Sequence, residues 1–274
     1  MWTESQMKSA IQELRPLIAE EDLAALDTAL HHIGLCFVLG TEFIDYCRLN
    51  DESAMVNFLA TLAAHNTTIP IHEIATESKH FLHVGCGPLS KGNLKGFNSD
   101  QWHEIKLDID VSVKPDIVGT LTDMKEVHTN SVDAIYSSHN IEHLYAHEVP
   151  IALLEFHRVL KCSGMVVLTC PDLQSVCEAV VADNLYEPLY ISTAGPISPI
   201  DILYGHRAPI ERGNFYMAHK SGFTYSALCD HFMKAGFKTR IGMRRSAYFD
   251  LWLVAFKDAV REQEAIEIAE AFLP

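Results

Sequence analysis

Phe81-Leu82-His83-Val84-Gly85-Cys86-Gly87-Pro88 is a short apolar run that ends in two glycines one residue apart. It reads as a buried strand delivering a tight turn at the edge of a sheet. Glycine suits such a turn for two reasons. The backbone must bend sharply, and a ligand must reach main-chain atoms that a Cβ would screen. A Gly-x-Gly pair alone is a weak signal; the segments that follow it give it meaning.

Downstream, Ile105 to Ile109 alternates as a second strand and Asp116 to Val118 makes a short third. Val132 to Tyr136 follows the Asn130-Ser131 turn as a fourth strand. Pro150 then stands near the start of a helix with Ala152, Leu153, Phe156, Val159 and Leu160 on one face, ending before Gly164. Met165 to Thr169 is a fifth strand, stopped by Pro171. Strands alternating with helices predict a parallel sheet. The pattern changes at Leu185 to Phe223, a long stretch of Pro, Gly, Tyr and polar residues that reads as a substrate cap. Ala227 to Ala235 is a helix closed by Gly236. Lys238 to Met243 and Phe249 to Phe256 are strands joined by too few residues for a helical crossover, which predicts an antiparallel hairpin. Ala259 to Phe272 is a terminal helix. Three regions result: a helical segment over residues 1–78, serving as a cap or in dimerisation, an α/β domain over 79–258 with its insertion at about 185–223, and a C-terminal helix over 259–274.

Composition bounds the function. The chain has 274 residues, 48% hydrophobic and 21% charged, enough for a sizeable core. A net charge of −15 argues against a nucleic-acid backbone as partner. Met1-Trp2-Thr3-Glu4 has neither the basic nor the apolar region of a signal peptide, and the most apolar early run, Ile33 to Gly40, is too short to span a bilayer. We therefore expect a cytoplasmic protein with no membrane partner. The 7 cysteines show no Cys-x-x-Cys spacing, and Cys86, Cys162, Cys170 and Cys177 fall in or beside core elements, as reduced buried thiols would.

Four motifs in order now carry a resemblance: Val84-Gly85-Cys86-Gly87; Leu107-Asp108-Ile109-Asp110; Val132 through Leu144, which includes Ser138-His139-Asn140-Ile141-Glu142-His143; and Arg158-Val159-Leu160-Lys161-Cys162-Ser163-Gly164 before a strand. Over residues 80–257 the chain resembles the class I S-adenosylmethionine-dependent methyltransferases, in the Methyltransferase-11-like branch. The resemblance implies a Rossmann-like fold with a mostly parallel seven-stranded sheet, a C-terminal antiparallel hairpin, and S-adenosylmethionine as cofactor. A dinucleotide-binding dehydrogenase would need a third glycine where Ser90 stands, and would lack the hairpin.

The resemblance also implies site residues. Gly85, Cys86 and Gly87 face the donor's amino-acid part. Asp108, with Ile109 beside it, holds the ribose hydroxyls, Asp110 being the alternative. Asp123 and Met124, in Thr122-Asp123-Met124, are placed at the adenine, although the family's acidic position could fall at Thr120. Ser138 closes the donor site. Two positions depart from the family: His83 stands where many relatives have a carboxylate, and Cys162-Ser163-Gly164 replaces Pro-Gly-Gly.

The chain has 15 histidines, and three of them stand with a glutamate at helical spacing near the expected donor. If the segment after the fourth strand is helical, His139, Glu142, His143 and His147 share a face. His139 and His143 are candidate general bases, together with His206 and His219 from the insertion. No metal is assigned; His139, Glu142 and His143 would be its ligands if one is used, with a further ligand from His206 or His219. Tyr190, Tyr204, Arg207, Arg212 and Tyr216 are candidate substrate contacts and suit a polar small-molecule acceptor. The competing readings are a non-catalytic binding or regulatory subunit on the same fold and a metal-dependent methyltransferase. A homodimer is compatible with all of them.

Overall fold

A computed structural model describes residues 78–192 and 195–274. The helical segment expected over residues 1–78, including the Pro16 break, falls outside the described residues apart from its last position.

Seven strands build one sheet: β1 (Lys79–Val84), β2 (Trp102–Asp108), β3 (Ile117–Val118), β4 (Val132–Ser138), β5 (Leu160–Pro171), β8 (Thr239–Arg245) and β9 (Asp250–Phe256). Their order is β3-β2-β1-β4-β5-β9-β8. The first five are parallel, and β9 pairs antiparallel with both β5 and β8. This is the Rossmann-like sheet with a closing hairpin that the sequence predicts. β6 (Tyr190–Ser192) and β7 (Gly195–Ile197) form a separate small ribbon inside the insertion. The strand order reverses between β1 and β4, so the crevice at their carboxyl ends is where an open α/β sheet binds ligands.

Among the described residues, six α-helices accompany the strands: α1 (Val149–Val159), α2 (Leu173–Val181), α3 (Pro199–Tyr204), α4 (Arg207–Glu211), α5 (Tyr225–Lys234) and α6 (Glu262–Glu270). The Asp172 carboxylate caps α2 by accepting from Gln174 N at 3.1 Å, and the Thr224 hydroxyl caps α5 by accepting from Ala227 N at 3.3 Å. Gly236, at φ +104°, ends α5 in a conformation that a side chain would strain. α1 buries Val149, Ala152, Leu153, Phe156 and Val159, and α5 buries Leu228 and Phe232. Both pack on one face of the sheet, against Leu82, Ile135 and Val166.

The other face differs from expectation. The β1–β2 connection holds only a 3-10 turn at Lys91–Asn93, and the β2–β3 connection one at Val111–Val113. The reason is local: residues 85–98 contain Gly85, Gly87, Pro88, Gly92 and Gly96, and each glycine costs a helix about 1 kcal/mol. α6 fills the space from the far end of the chain. Ala265, Ala269, Phe272 and Leu273 pack with Phe81, Phe97 and Trp102, and Lys95 Nζ donates to the Leu273 carbonyl. The Cys162-Ser163-Gly164 departure is likewise no separate turn. β5 runs through it with a register shift, Val132 pairing Leu160 and Ala134 pairing Met165. The five described cysteines carry free thiols, as expected, but only Cys86 and Cys170 are buried; Cys177 is exposed because it lies on the outer side of α2.

Phe97 holds the α6 face together. It is 0% exposed, with its ring 4.3 Å from Phe81, 4.8 Å from Phe272 and 5.0 Å from Trp102, centroid to centroid. Phe97→Ala should therefore destabilise the domain by about 3–5 kcal/mol in urea unfolding. A loss below about 1 kcal/mol would show that α6 is not held by this cluster.

Candidate active site

Two loops meet at the reversal of strand order. The first leaves β1 at Gly85 and Gly87, which have φ of +59° and +52°. A Cβ on Gly85 would stand 2.1 Å from Asn140 Oδ1. A Cβ on Gly87 would meet nothing within 4 Å, so that glycine opens onto free space. Asp108, at the end of β2 and 8% exposed, accepts from Gly87 N at 2.8 Å through one oxygen and from Asp110 N at 2.9 Å through the other. A carboxylate has about four acceptor sites, so each oxygen keeps one for a ligand hydroxyl. Asp110 is turned away and caps the next 3-10 turn through Ser112 N. The geometry thus brings Asp108, and not Asp110, to the glycine loop. Ile109 lies between them with 43% of its surface exposed. Cys86 is buried, and desolvation together with the nearby Asp108 charge pushes its thiol up to about 11, which makes it an unreactive packing residue.

His83 has a role that its sequence position did not announce. Its Nδ1 lies 2.7 Å from Glu104 Oε1, and the other oxygen of Glu104 accepts from Lys91 N at 2.9 Å. A carboxylate is therefore present behind the glycine loop, but it comes from β2 and both its oxygens are committed. Burial lowers the pKa of His83 against the pull of Glu104, so the neutral ring donates from Nδ1. Register explains the pairing: His83 lies opposite Lys106, and Glu104 stands two residues back on the same face.

Of the adenine candidates, Asp123 is exposed and 3.6 Å from Lys125. Met124 is 1% exposed in the core, its N–H donating to Glu155, and offers no surface to a ring, contrary to expectation. Thr120 bridges to Asp123 across this loop, and its hydroxyl lies 3.1 Å from that of Thr122. A cavity of about 470 Å³ lies between this loop and α1, lined by Asp123, Ile151, Leu154 and Arg158 among others. Neither the glycine loop nor the histidines line it, so it is not the donor crevice.

The second loop leaves β4 after Ser138. It is not the helix that the histidine spacing suggested. His139 takes a left-handed conformation, φ +53°, and Ile141–His143 forms a single 3-10 turn before α1 begins. The cause is Asn140, whose side chain turns back to donate to the Val84 carbonyl at 2.9 Å. His147 is consequently carried away from the others and stacks on Tyr145.

The turn nevertheless gathers a cluster, completed from the insertion. Glu142, His143 and His219 each offer a ligand atom, all within 4.8 Å of one another. Glu142 is 1% exposed, and neither of its oxygens has a hydrogen-bond partner. His139 Nδ1 approaches one of them to 3.3 Å from a half-exposed position. Burial would push Glu142 up, but the contact with His139 and the charges of the other histidines hold it below the usual carboxylate value. For His139, partial burial opposes the charged ring, yet Glu142 raises it above the usual histidine value. His143 Nδ1 lies 3.1 Å from the Ala218 carbonyl and His219 Nδ1 lies 2.6 Å from the Ile202 carbonyl. His206, at the N-terminus of α4, is not in the cluster, and Arg207 is committed to Asp201 at 2.7 Å instead of standing free for a substrate.

Residues 82–168 match the family model of a methyltransferase domain. No curated protein sequence matches the chain. Among solved structures, a protein from Bordetella parapertussis aligns at 15% identity with a TM-score of 0.44, covering 66% of this chain and 62% of its own. The CMeT domain of the citrinin polyketide synthase aligns at 11% and 0.43, covering 68% and 48%. A SAM-dependent methyltransferase from Archaeoglobus fulgidus aligns at 14% and 0.42, covering 66% and 87%. The chain thus spans less than two thirds of the length of the first two. At such low identity and overlap, nothing about substrate or partner passes from these structures to this chain.

His83→Asp would give the chain the carboxylate common among relatives, and the structure predicts harm. A second acid would face Glu104 across a 2.7 Å contact. The expected loss is about 3 kcal/mol in urea unfolding at neutral pH, partly recovered by adding Glu104→Gln. An unchanged or more stable His83→Asp would overturn this account of His83.

Proposed function

We propose that this chain, which carries an S-adenosylmethionine-dependent methyltransferase domain, transfers a methyl group to a polar small-molecule acceptor bound between the glycine loop and the insertion. The observation that carries this reading is the crevice itself: Gly87 opens onto free space while its N–H is tied to a carboxylate with acceptor capacity to spare. These residues fit the donor. Asp108 would take the ribose hydroxyls, and the Gly85–Gly87 backbone would take the amino-acid part, with Ser138 at the end of β4 beside them. When bound, the donor supplies a methyl group made electrophilic by its sulfonium charge.

What remains for the chain is to orient the acceptor, exclude water and accept a proton. His139 suits the last task. It is half-exposed at the crevice, and the Glu142 carboxylate behind it stabilises its charged form. The left-handed backbone at His139 holds the ring at the end of β4, where His139 N donates to the Thr169 carbonyl at 2.9 Å. The insertion carries His219 to the same place, with exposed Tyr204 and Tyr216 nearby in sequence to line an acceptor site. Among the described residues no helix is long and apolar enough to cross a membrane.

Calorimetry with S-adenosylhomocysteine tests the donor site. Asp108→Ala should weaken binding at least about tenfold, the value of one charged hydrogen-bonding group. Unchanged affinity would remove Asp108 from the site. His139→Ala should leave that affinity within about twofold while lowering turnover by about 10²-fold once an acceptor is found by screening. Equal loss of both would make His139 a donor-positioning residue instead.

A further inference from the structure

Among the described residues, Glu142 is a buried acid with little direct hydrogen bonding. It is 1% exposed, neither of its oxygens accepts a well-formed hydrogen bond, and the half-exposed His139 stands 3.3 Å from one of them as an ion-pair partner, leaving the other oxygen to the remaining histidines. A buried carboxylate left in that state costs several kcal/mol unless something else neutralises it. Nearby hydroxyls do not help. Ser221 Oγ is directed to the Ile141 carbonyl, and Lys220 N and Ser221 N both donate to the Glu142 main-chain carbonyl, bypassing its carboxylate. The cluster around Glu142 is therefore built to satisfy its backbone and leave its charge facing three histidines, His139 on one oxygen and His143 and His219 beside it.

The two histidines are prepared in a complementary way. A backbone carbonyl can only accept, so each Nδ1 beside one must carry its hydrogen. Ala218 O fixes this for His143, and Ile202 O fixes it for His219. In that tautomer Nε2 carries the lone pair that could bind an ion. Backbone carbonyls that set the tautomer in this way are the usual support of a metal-binding imidazole. The ring centroids are 4.9 Å apart. One ligand atom from each of the three residues lies within 4.8 Å of the others, so that small side-chain adjustments would bring all three onto one ion at about 2.0–2.2 Å.

We propose that Glu142, His143 and His219 form a binding site for one divalent transition-metal ion, with open positions that take an oxygen of the acceptor. Two imidazoles and one carboxylate select ions such as Zn²⁺, Mn²⁺ or Co²⁺ over Mg²⁺ and Ca²⁺, which prefer all-oxygen sites. Three protein ligands leave coordination for a ligand from outside the chain, as in catalytic and not structural sites. The acceptor is thereby restricted to molecules that present a hydroxyl, carboxylate or carbonyl oxygen to the ion. His219 would join the insertion to the β4 loop through the metal, so the site assembles only when the insertion is seated. The acceptor role rests on the methyltransferase reading; the metal site does not.

The test uses the full chain without a polyhistidine tag, stripped with EDTA and titrated with Zn²⁺, Mn²⁺ and Mg²⁺ by calorimetry. One Zn²⁺ or Mn²⁺ per chain is expected, with Mg²⁺ at least tenfold weaker. His219→Gln and Glu142→Gln should each weaken binding at least tenfold, and exposed His103→Gln should not. Co²⁺ added to the wild type should give visible d–d absorption bands that decide the matter even where a variant fails to fold. No stoichiometric binding, no Co²⁺ bands, or equal affinity in folded His219→Gln and Glu142→Gln would overturn the proposal. S-adenosylhomocysteine titrated into the same preparation separates the two readings. Nucleoside binding without metal binding overturns the metal site alone, and metal binding without nucleoside overturns the donor site alone.

Discussion

The contact between Gly85 and Asn140 is the constraint on which the crevice depends. Asn140 reaches across from the end of β4 to the Val84 carbonyl, and it can do so only because residue 85 has no Cβ. The positive φ of Gly85 and that of His139 are two sides of this one approach. Non-glycine residues in the left-handed region cost of order 1 kcal/mol or more, and surrounding structure must hold them there. Here the hydrogen bond from Asn140 and the one from His139 N to Thr169 do so. A single steric permission just after β1 thereby sets where a histidine and a buried glutamate stand just after β4, and it joins the glycine loop to the side chains beside it.

Electrostatics follow the same division. On the β1 side the charged groups are satisfied: Asp108 by two backbone donors, Glu104 by His83 and Lys91. In the insertion Asp201 is held by Arg207 and Ser198, and at the β5 edge Asp172 is held by Arg244 and Ser175. Glu142 is the exception among these buried acids. Fully paired acids stabilise and position, whereas an acid held at low pKa by histidines alone is poised to bind something positive or to shape a proton's path.

Much of the fold was legible in the sequence, because strand period, turn residues and the short link between the last two strands are local signals. The Gly85–Gly87 loop and Asp108 were legible for the same reason, since each follows an apolar run at a strand end. The partner of His83 was not: it depends on the register of β1 against β2, which no local pattern states. Nor was the turn at Ile141–His143: the i, i+3 and i+4 spacing left a helix open there, and only the Asn140 side chain turning back to Val84 shows a 3-10 turn instead. His219 could be chosen over His206 only with the fold in hand. Both lie in the insertion, and the bridge between Gly205 and Ala218 brings His219 back and leaves His206 at a helix end.

The glycines that free the β1–β2 loop also strip that crossover of its helix, and α6 takes the vacant place from more than 160 residues away in sequence. The aromatic face behind the glycine loop therefore keeps Phe81, Phe97 and Trp102 uncovered by α6 until residues 262–273 are in place. During synthesis, β1 to β5 can pair while Phe81, Phe97 and Trp102 are still uncovered, and the sheet closes only when residues 262–273 emerge.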